Sequence, residues 1–249
     1  MRIMDAYQNS RGFTLIEVLL AVFVGLLLLS AISLTMISGQ RSSSAIERKT
    51  AAQQDVRGAL RVMATEIGMA SFNPNFGSGI WRKFDACSTP AVNQDNRGLQ
   101  EATPNSITVQ MDIGESGNIG DDNNEIIRYE YLPSPSGQFI RRAVNCQAAE
   151  PFLGADPATG VSGAVRVIND TAEIYNGDPA PETAVFRYYD AKDPETELFP
   201  HKNPSDIPNI RRIDITLAVE TDEIDPNTRQ PRQMIYSTSV IVRNHALTP

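Results

Sequence analysis

The N-terminal residues best suited to chemistry are Gly12, Phe13 and Glu17. They lie in the stretch Arg11-Gly12-Phe13-Thr14-Leu15-Ile16-Glu17-Val18, where Glu17 is the one charge at the edge of an apolar run. A carboxylate at the start of a lipid-facing helix is costly unless a cation neutralises it. Cleavage after Gly12 would create that cation, because Phe13 would then carry a new α-amino group at the positive end of the helix. The pattern predicts a processed N-terminus that pairs with Glu17 of its own or a neighbouring chain.

An uncharged run of twenty residues follows, from Val18 to Ile37. As a helix that rises about 1.5 Å per residue, it matches a hydrocarbon core of roughly 30 Å. A secretory signal places its cleavage site after a shorter apolar core, whereas Gly12 and Arg11 precede this run. We therefore expect a membrane span at about residues 18–37 that stays on the chain after cleavage.

The six residues Gly-Phe-Thr-Leu-Ile-Glu, at positions 12–17, followed by about twenty apolar residues, resemble the type III signal of type IV pilins and type II secretion pseudopilins. The resemblance implies that a prepilin peptidase cuts between Gly12 and Phe13, that the Phe13 nitrogen is methylated, and that Glu17 registers subunits during filament assembly. Weaker similarities at 55–71, 186–190, 210–221 and 239–244 are most like PilW-like minor pilins and J-type pseudopilins.

This resemblance implies a minor pilin of a type IV pilus that takes part in the initiation of assembly or in tip structure. The alternatives are a minor pseudopilin of a type II secretion system and a filament-mounted adhesin or docking module. The implied partners are other pilin or pseudopilin subunits, a prepilin peptidase, an inner-membrane assembly platform and, before assembly, inner-membrane lipid. The implied location is a single-pass inner-membrane protein with a periplasmic head, which later enters a pilus or pseudopilus that runs from the periplasm to the cell surface.

The net charge of −8 argues against a phosphate-binding surface spread over the chain, so no nucleic-acid partner is expected. Cys87 and Cys146 are the only cysteines, too few for a four-cysteine zinc site. We expect a disulfide, with two separate buried thiols as the alternative. A closed loop of about 60 residues stabilises a fold by roughly 4 kcal/mol in the chain-entropy model, and the bond needs an oxidising compartment such as the periplasm.

The richest polar cluster runs from Asp112 to Glu125, and its oxygen ligands on a glycine-rich turn are of the kind that holds calcium. An EF-hand register that starts at Asp112 puts Gly117 at the sixth place. It also puts Gly114 at the third place and Asn123 at the twelfth, where a carboxylate or amide and a glutamate belong. A solvated loop between two strands is the simpler interpretation, so we expect no cofactor and no metal, with calcium as the alternative.

The sequence predicts no catalytic residue and no enzyme. His201 lies in a proline-rich stretch and His245 lies near the C-terminus, and we expect both at the surface. No serine occupies a Gly-x-Ser-x-Gly turn, and no phosphate-binding glycine-rich motif is present. The adjacent acidic pairs at 121–122 and 222–223 are typical of solvated loops rather than of acid–base chemistry.

These residues imply three parts: a leader at 1–12, a pilin-type helix at 13–71 and a β-rich head at 72–249. The helix is expected because no proline occurs between Phe13 and Asn73, and because apolar residues recur on one face beyond the span, at Val56, Leu60, Met63 and Ile67. The predicted fold class is α+β: a long N-terminal helix, transmembrane in its first half and amphipathic in its second, packed on a mostly antiparallel sheet.

Six strands are predicted by alternating apolar residues, at 106–112, 125–132, 138–144, 184–190, 212–220 and 233–243. Hairpin turns are expected at 133–137 and around 225–227. The segment from Phe72 to Asn105 is expected to be a long irregular loop that carries Trp81, and the segment from Gln147 to Thr183 is unassigned. Trp81 has two interpretations, a plug that packs the loop onto the head and, with its basic neighbours, a contact patch for a partner.

Overall fold

The computed structural model describes residues 12–133, 137–156, 160, 163–169, 184–190, 193, 195–222, 224–225 and 228–246. Apart from Gly12, the predicted leader lies outside these ranges, as do residues 134–136, 226–227 and most of the unassigned segment after Gly154. The chain divides into an N-terminal unit, Met1–Glu47, and a second unit, Arg48–Pro249, which we call the head. One helix, α1 (Leu15–Gly68), contributes to both.

The N-terminal unit contains the apolar part of α1, which is long and apolar enough to cross a membrane and is not buried by other parts of the protein. The hydroxyl groups of its uncharged run, on Ser30, Ser33 and Thr35, bond to carbonyl groups of the same helix. The hydroxyls of Ser30 and Ser33 each donate to the carbonyl four residues earlier, on Leu26 and Leu29, at 2.8 Å. A lipid environment requires such internal bonds because it offers no water to the hydroxyl groups.

The second part of α1 belongs to the head and buries one face. Its buried residues recur at helical spacing, which confirms the apolar face predicted from the sequence: Ala52, Val56, Ala59, Leu60, Met63 and Ile67. That face packs into the main hydrophobic core with residues of both sheets.

Among the described residues, ten strands form two sheets, and every pair of neighbouring strands is antiparallel. The first sheet has the order β1 (Leu99–Ala102), β2 (Ser106–Gln110), β3 (Ile126–Leu132), β4 (Phe139–Val144) and β5 (Glu150–Leu153). The second contains β6 (Val165–Val167), β7 (Phe186–Asp190), β8 (Glu197–Leu198), β9 (Ile210–Thr221) and β10 (Gln233–Ile241). Its order is β10-β9-β7-β8, and β6 also pairs with β9. The fold is therefore α+β, as predicted.

All six predicted strands are present, with ends that differ from the prediction by a few residues. Four strands were missed: β1, β5, β6 and β8. They are two to four residues long and lie in segments without alternation, so only their pairing partners define them. The prediction of a loop up to Asn105 was therefore wrong at its end, where β1 begins at Leu99. Short 3-10 helices occur at Gln94–Asn96, Pro204–Asn209 and Arg243–Ala246.

The longest strand, β9, organises the core. Its alternate residues Ile213, Ile215, Leu217 and Val219 are fully buried, as the sequence pattern predicted. From the first sheet, Tyr129 and Ile140 enter the same core. Because one helix face and the inner faces of two sheets share this core, the head has its own hydrophobic interior.

Candidate functional site

The N-terminal motif forms a closed hydrogen-bonded cap at the start of α1. The Thr14 backbone N–H and hydroxyl both donate to Oε2 of Glu17 at 2.9 Å, and the Glu17 N–H donates to the Thr14 hydroxyl oxygen at 3.3 Å. This reciprocal pattern is a capping box, in which a threonine before the helix and a glutamate three residues later satisfy each other's backbone donors. The spacing Thr-x-x-Glu is the sequence signal of a capping box. The interpretation of the motif from sequence did not include this cap.

The cap uses only one of the two carboxylate oxygens of Glu17. Both bonds from Thr14 end on Oε2, and Oε1 of Glu17 has no hydrogen-bond partner among the described residues. Glu17 is exposed on the protein, and so are Gly12 and Phe13, which precede the helix in non-helical backbone. The Gly12–Phe13 bond thus lies in an accessible, non-helical segment of the kind that proteases cut. The site therefore combines a cleavable peptide bond with a carboxylate that can accept one more cation.

Residues 7–33 match the family model described as the prokaryotic N-terminal methylation motif. The chain carries a prepilin-type N-terminus. This match supports a type IV pilin-like or pseudopilin protein that is processed by a prepilin peptidase and interacts with other pilin subunits. No curated protein and no solved structure matches the chain.

The prepilin-type motif and the apolar helix behind it fit a membrane-anchored pilin, and the motif suggests a structural subunit rather than an enzyme. The matched segment contains Gly12, Phe13 and Glu17, the residues that the sequence singled out. The other residues that the sequence analysis considered lie in the head, and the structure shows the contacts that they make.

Cys87 and Cys146 form a disulfide with a Cα–Cα distance of 5.9 Å, which agrees with the expected pairing. It fastens the long segment after α1 beside the first sheet. Under that segment, Trp81 is 5% exposed and packs with Ile80, Ala91 and Ile126 in a second hydrophobic cluster. The packing interpretation of Trp81 is therefore confirmed, and a partner patch built on Trp81 is wrong because its ring faces the protein.

The polar loop at 112–125 is held by two fully buried carboxylates. Asp112 accepts backbone bonds from Ser116 at 3.0 Å and Gly117 at 2.9 Å. Glu125 accepts backbone bonds from Gly120 at 2.8 Å, Asp122 at 3.2 Å and Gly114 at 3.3 Å. The carboxylates of residues 121, 122 and 125 lie within 4.8 Å of one another. These internal bonds account for Asp112 and Glu125 without a ligand, and calcium stays an untested alternative.

A half-buried ion pair connects the head part of α1 to the first sheet. Glu66 receives two bonds from Arg142 on β4, at 2.7 and 3.1 Å, and one from the hydroxyl of Tyr129 on β3. Burial, and then the neighbouring Glu66 carboxylate, raise the pKa of Tyr129, so this hydroxyl stays protonated and acts as a donor. Two-point pairing between guanidinium and carboxylate fixes geometry as well as charge, so the network sets the position of the helix on the sheet.

His245 is fully buried, so the prediction that it lies at the surface was wrong, whereas His201 is exposed as expected. The His245 Nε2 lies 2.9 Å from the Ile207 carbonyl and therefore carries the proton, because a carbonyl oxygen only accepts. Nδ1 then accepts from the Ser71 hydroxyl at 2.8 Å, whose oxygen in turn accepts from the Gly98 N–H at 2.9 Å. The ring joins the 3-10 helix Arg243–Ala246 to the segment that follows α1, and the position of His245 in the sequence gave no signal of this link.

The burial of His245 makes the stability of the head depend on pH. Burial lowers the pKa of His245 to about 4, helped by the nearby charges of Arg211 and Arg97, against the opposing effect of the Ile207 carbonyl. Since the unfolded pKa is 6.5 and the folded one lower, the unfolded chain binds more protons between these values. We expect full stability above pH 6.5 and a loss of about 3 kcal/mol as the pH falls to 4.

The measurement is denaturant unfolding of the detergent-solubilised chain at pH 7.5, 6, 5 and 4.5, followed by the fluorescence of Trp81, the single tryptophan. A His245→Gln variant should show a much shallower decline over this range. His201→Gln is the matched control, because that ring is exposed, and it should behave like wild type. If the free energy of unfolding declined equally with falling pH in wild type and His245→Gln, His245 would not be the group responsible.

Proposed function

We propose that this chain is a minor pilin of a type IV pilus, which is cleaved between Gly12 and Phe13, methylated at Phe13 and added to a filament through α1. The observation that carries the proposal is the geometry of the motif, an exposed Gly12–Phe13 bond four residues before a carboxylate with one unpaired oxygen. Cleavage creates an ammonium at Phe13. In a filament, the ammonium of one chain can bind Oε1 of Glu17 on a neighbour while the cap keeps Oε2.

The energetic reason for this pairing is the membrane. A single carboxylate costs several kcal/mol in hydrocarbon, and an adjacent cation offsets much of that cost. A new subunit thus enters the filament with a site that favours the N-terminus of another subunit over lipid. The same reasoning makes uncleaved chains poor subunits, because they lack the ammonium.

The size of the head supports a minor rather than a major role. It carries two five-stranded sheets, a disulfide and a long covering segment between Phe72 and Gly98. A bulky head is harder to repeat through a whole filament, so we place the subunit at the tip or in the initiation complex. A pseudopilus of a secretion system uses the same motif. Deletion of the chain separates the two, since loss of surface fibres favours the pilus and loss of exoprotein release favours the pseudopilus.

Cleavage is tested by the intact mass of the chain isolated from its native host. We expect a chain that begins at Phe13 and carries one methyl group on its nitrogen. A Gly12→Val variant should keep the first twelve residues, whereas Gly39→Ala, which adds a methyl group where no atom lies within 4 Å, should be cleaved normally. A wild-type chain that retains residues 1–12 in assembled filaments would overturn the proposal.

A further inference from the structure

Strand β10 forms one edge of the second sheet, and it lacks the protection that the other sheet edges have. Exposed edges offer unpaired backbone groups to other chains, and natural proteins shield them with charges, prolines, bulges or short strands. Among the described strands, β1 and β5 have four residues each and an irregular register, β5 contains Pro151, and β8 has two residues. By contrast, β10 has nine residues in unbroken register with β9 and contains no charge and no proline.

The free edge of β10 can be assigned residue by residue. Thr221 N–H donates to the Arg232 carbonyl at 3.0 Å, and Val242 N–H donates to the Arg211 carbonyl at 3.0 Å. Because the direction of the backbone groups alternates along an antiparallel strand, the even-numbered residues between these bonds are the ones that bond to β9. The N–H and C=O groups of the odd-numbered residues therefore point away from the sheet: Gln233, Ile235, Ser237, Ser239 and Ile241.

These outward groups have no backbone hydrogen bond to any described residue. The side chains of the same residues are exposed, and Ile235 and Ile241 are 43% and 61% exposed. An edge with this composition, rich in β-forming residues and free of charge, is the kind of strand to which a further strand adds. Its long unprotected run indicates an interface rather than a surface in water.

The side of β10 that faces the head part of α1 carries positive charge. A groove of about 530 Å³ runs between the head part of α1 and β10, and Arg57, Arg61 and Tyr236 are among its lining residues. Arg57 lies over the Tyr236 ring at 5.8 Å, and both arginines are exposed. Neither has an ion pair with a described residue, although the whole chain carries a net charge of −8. An incoming strand with a carboxylate on this side would neutralise them.

We propose that the outer edge of β10 receives an extended, acidic segment from a different subunit, which adds as the next antiparallel or parallel strand and places its carboxylate against Arg57 and Arg61. Pairing of β10 with a second copy of itself is disfavoured because it would bring two sets of unpaired arginines to the same edge. The identity of the donor as another pilin-type subunit rests on the proposed function; the binding edge itself does not.

The test is photo-cross-linking of the full chain in its native host, with a photoreactive amino acid at Ser239 and, as a position control, at the exposed Ser205 of a 3-10 helix. We expect an adduct at Ser239 but not at Ser205, mapped by mass spectrometry to an extended segment with Asp or Glu in another chain. A yield of adduct at Ser239 that is no higher than the yield at Ser205 would overturn the proposal. A cross-link to β10 of a second copy would overturn it in favour of self-pairing.

A matched pair of variants tests the hydrogen bonds. Ser237→Pro removes an outward N–H and no bond to β9, whereas Ser237→Ala keeps that N–H. We expect at least a tenfold loss of adduct with Ser237→Pro and none with Ser237→Ala. If Ser237→Pro lowers the unfolding midpoint, its loss of adduct could come from unfolding. The double variant Arg57→Gln, Arg61→Gln then tests the proposal, because it leaves the strand unchanged. It should also weaken the adduct at least severalfold. An undiminished adduct in these variants contradicts the proposal.

These outcomes separate the edge from the proposed function. If Glu17→Ala enters filaments normally while the Ser239 adduct persists, the assembly role of the motif fails and the edge stands. If Glu17→Ala is excluded from filaments and no Ser239 adduct forms, the edge fails and the assembly role stands.

Discussion

A Glu17→Ala variant is expected to insert into the membrane and to be cleaved normally, but to enter filaments at least tenfold less than wild type. In the proposed contact between Glu17 and the Phe13 ammonium of a neighbour, removal of the carboxylate leaves the ammonium unpaired, and breaking such a pair in a low-dielectric environment typically costs about 3–5 kcal/mol. The measurement is the ratio of this chain to the major subunit in sheared filaments, compared with the same ratio in membranes.

The capping box offers a competing explanation for the same loss, and two variants separate them. Glu17→Gln keeps an oxygen that can accept both bonds from Thr14 but removes the charge, so it should fail like Glu17→Ala. Thr14→Ala removes the two bonds of the capping hydroxyl and keeps the charge, so it should incorporate nearly normally, at a cost of about 1 kcal/mol in helix stability. Normal incorporation of Glu17→Gln would show that the cap, and not the ion pair, is what matters.

Gly98→Ala is expected to have the largest effect on the stability of the head. A Cβ at this position would lie 2.2 Å from the Ser71 backbone nitrogen and 2.3 Å from the Gln110 carbonyl oxygen. These are backbone atoms, and the Gly98 N–H and C=O bond to Ser71 Oγ and Gln110 N at 2.9 and 2.7 Å. Any shift that makes room for the methyl group therefore disrupts the hydrogen bonds that Gly98 makes with Ser71 and Gln110. We expect a loss of 3 kcal/mol or more, in the range of severe core overpacking.

The matched control is Gly58→Ala, in the part of α1 that belongs to the head. No atom lies within 4 Å of a Cβ there, so the substitution should stabilise the helix by up to about 1 kcal/mol. Both variants are compared by denaturant unfolding of the solubilised chain with Trp81 fluorescence. A Gly98→Ala midpoint equal to that of wild type would show that the close approach of the two backbone segments is not required.

Sequence determined most where the physics is local or the motif is specific. The Gly12–Glu17 motif and the uncharged run behind it need no tertiary partner to be recognised, because a span in lipid depends only on length and polarity. The face of α1 that carries Val56 and Met63 and the alternation of β9 were predictable for a similar reason, since a fixed period places every third to fourth or every second residue on one side. The Cys87–Cys146 disulfide was predictable because the chain has only these two cysteines.

Tertiary structure decided the rest. The short strands β1, β5, β6 and β8 exist because a neighbour supplies their hydrogen bonds, and no pattern within two to four residues reports that neighbour. The burial of His245 depends on segments far away in the chain, so its position near the C-terminus led to the wrong prediction of a surface residue. The same holds for the edge of β10, because a strand's sequence shows which face is apolar but not which side of its backbone is left without a partner.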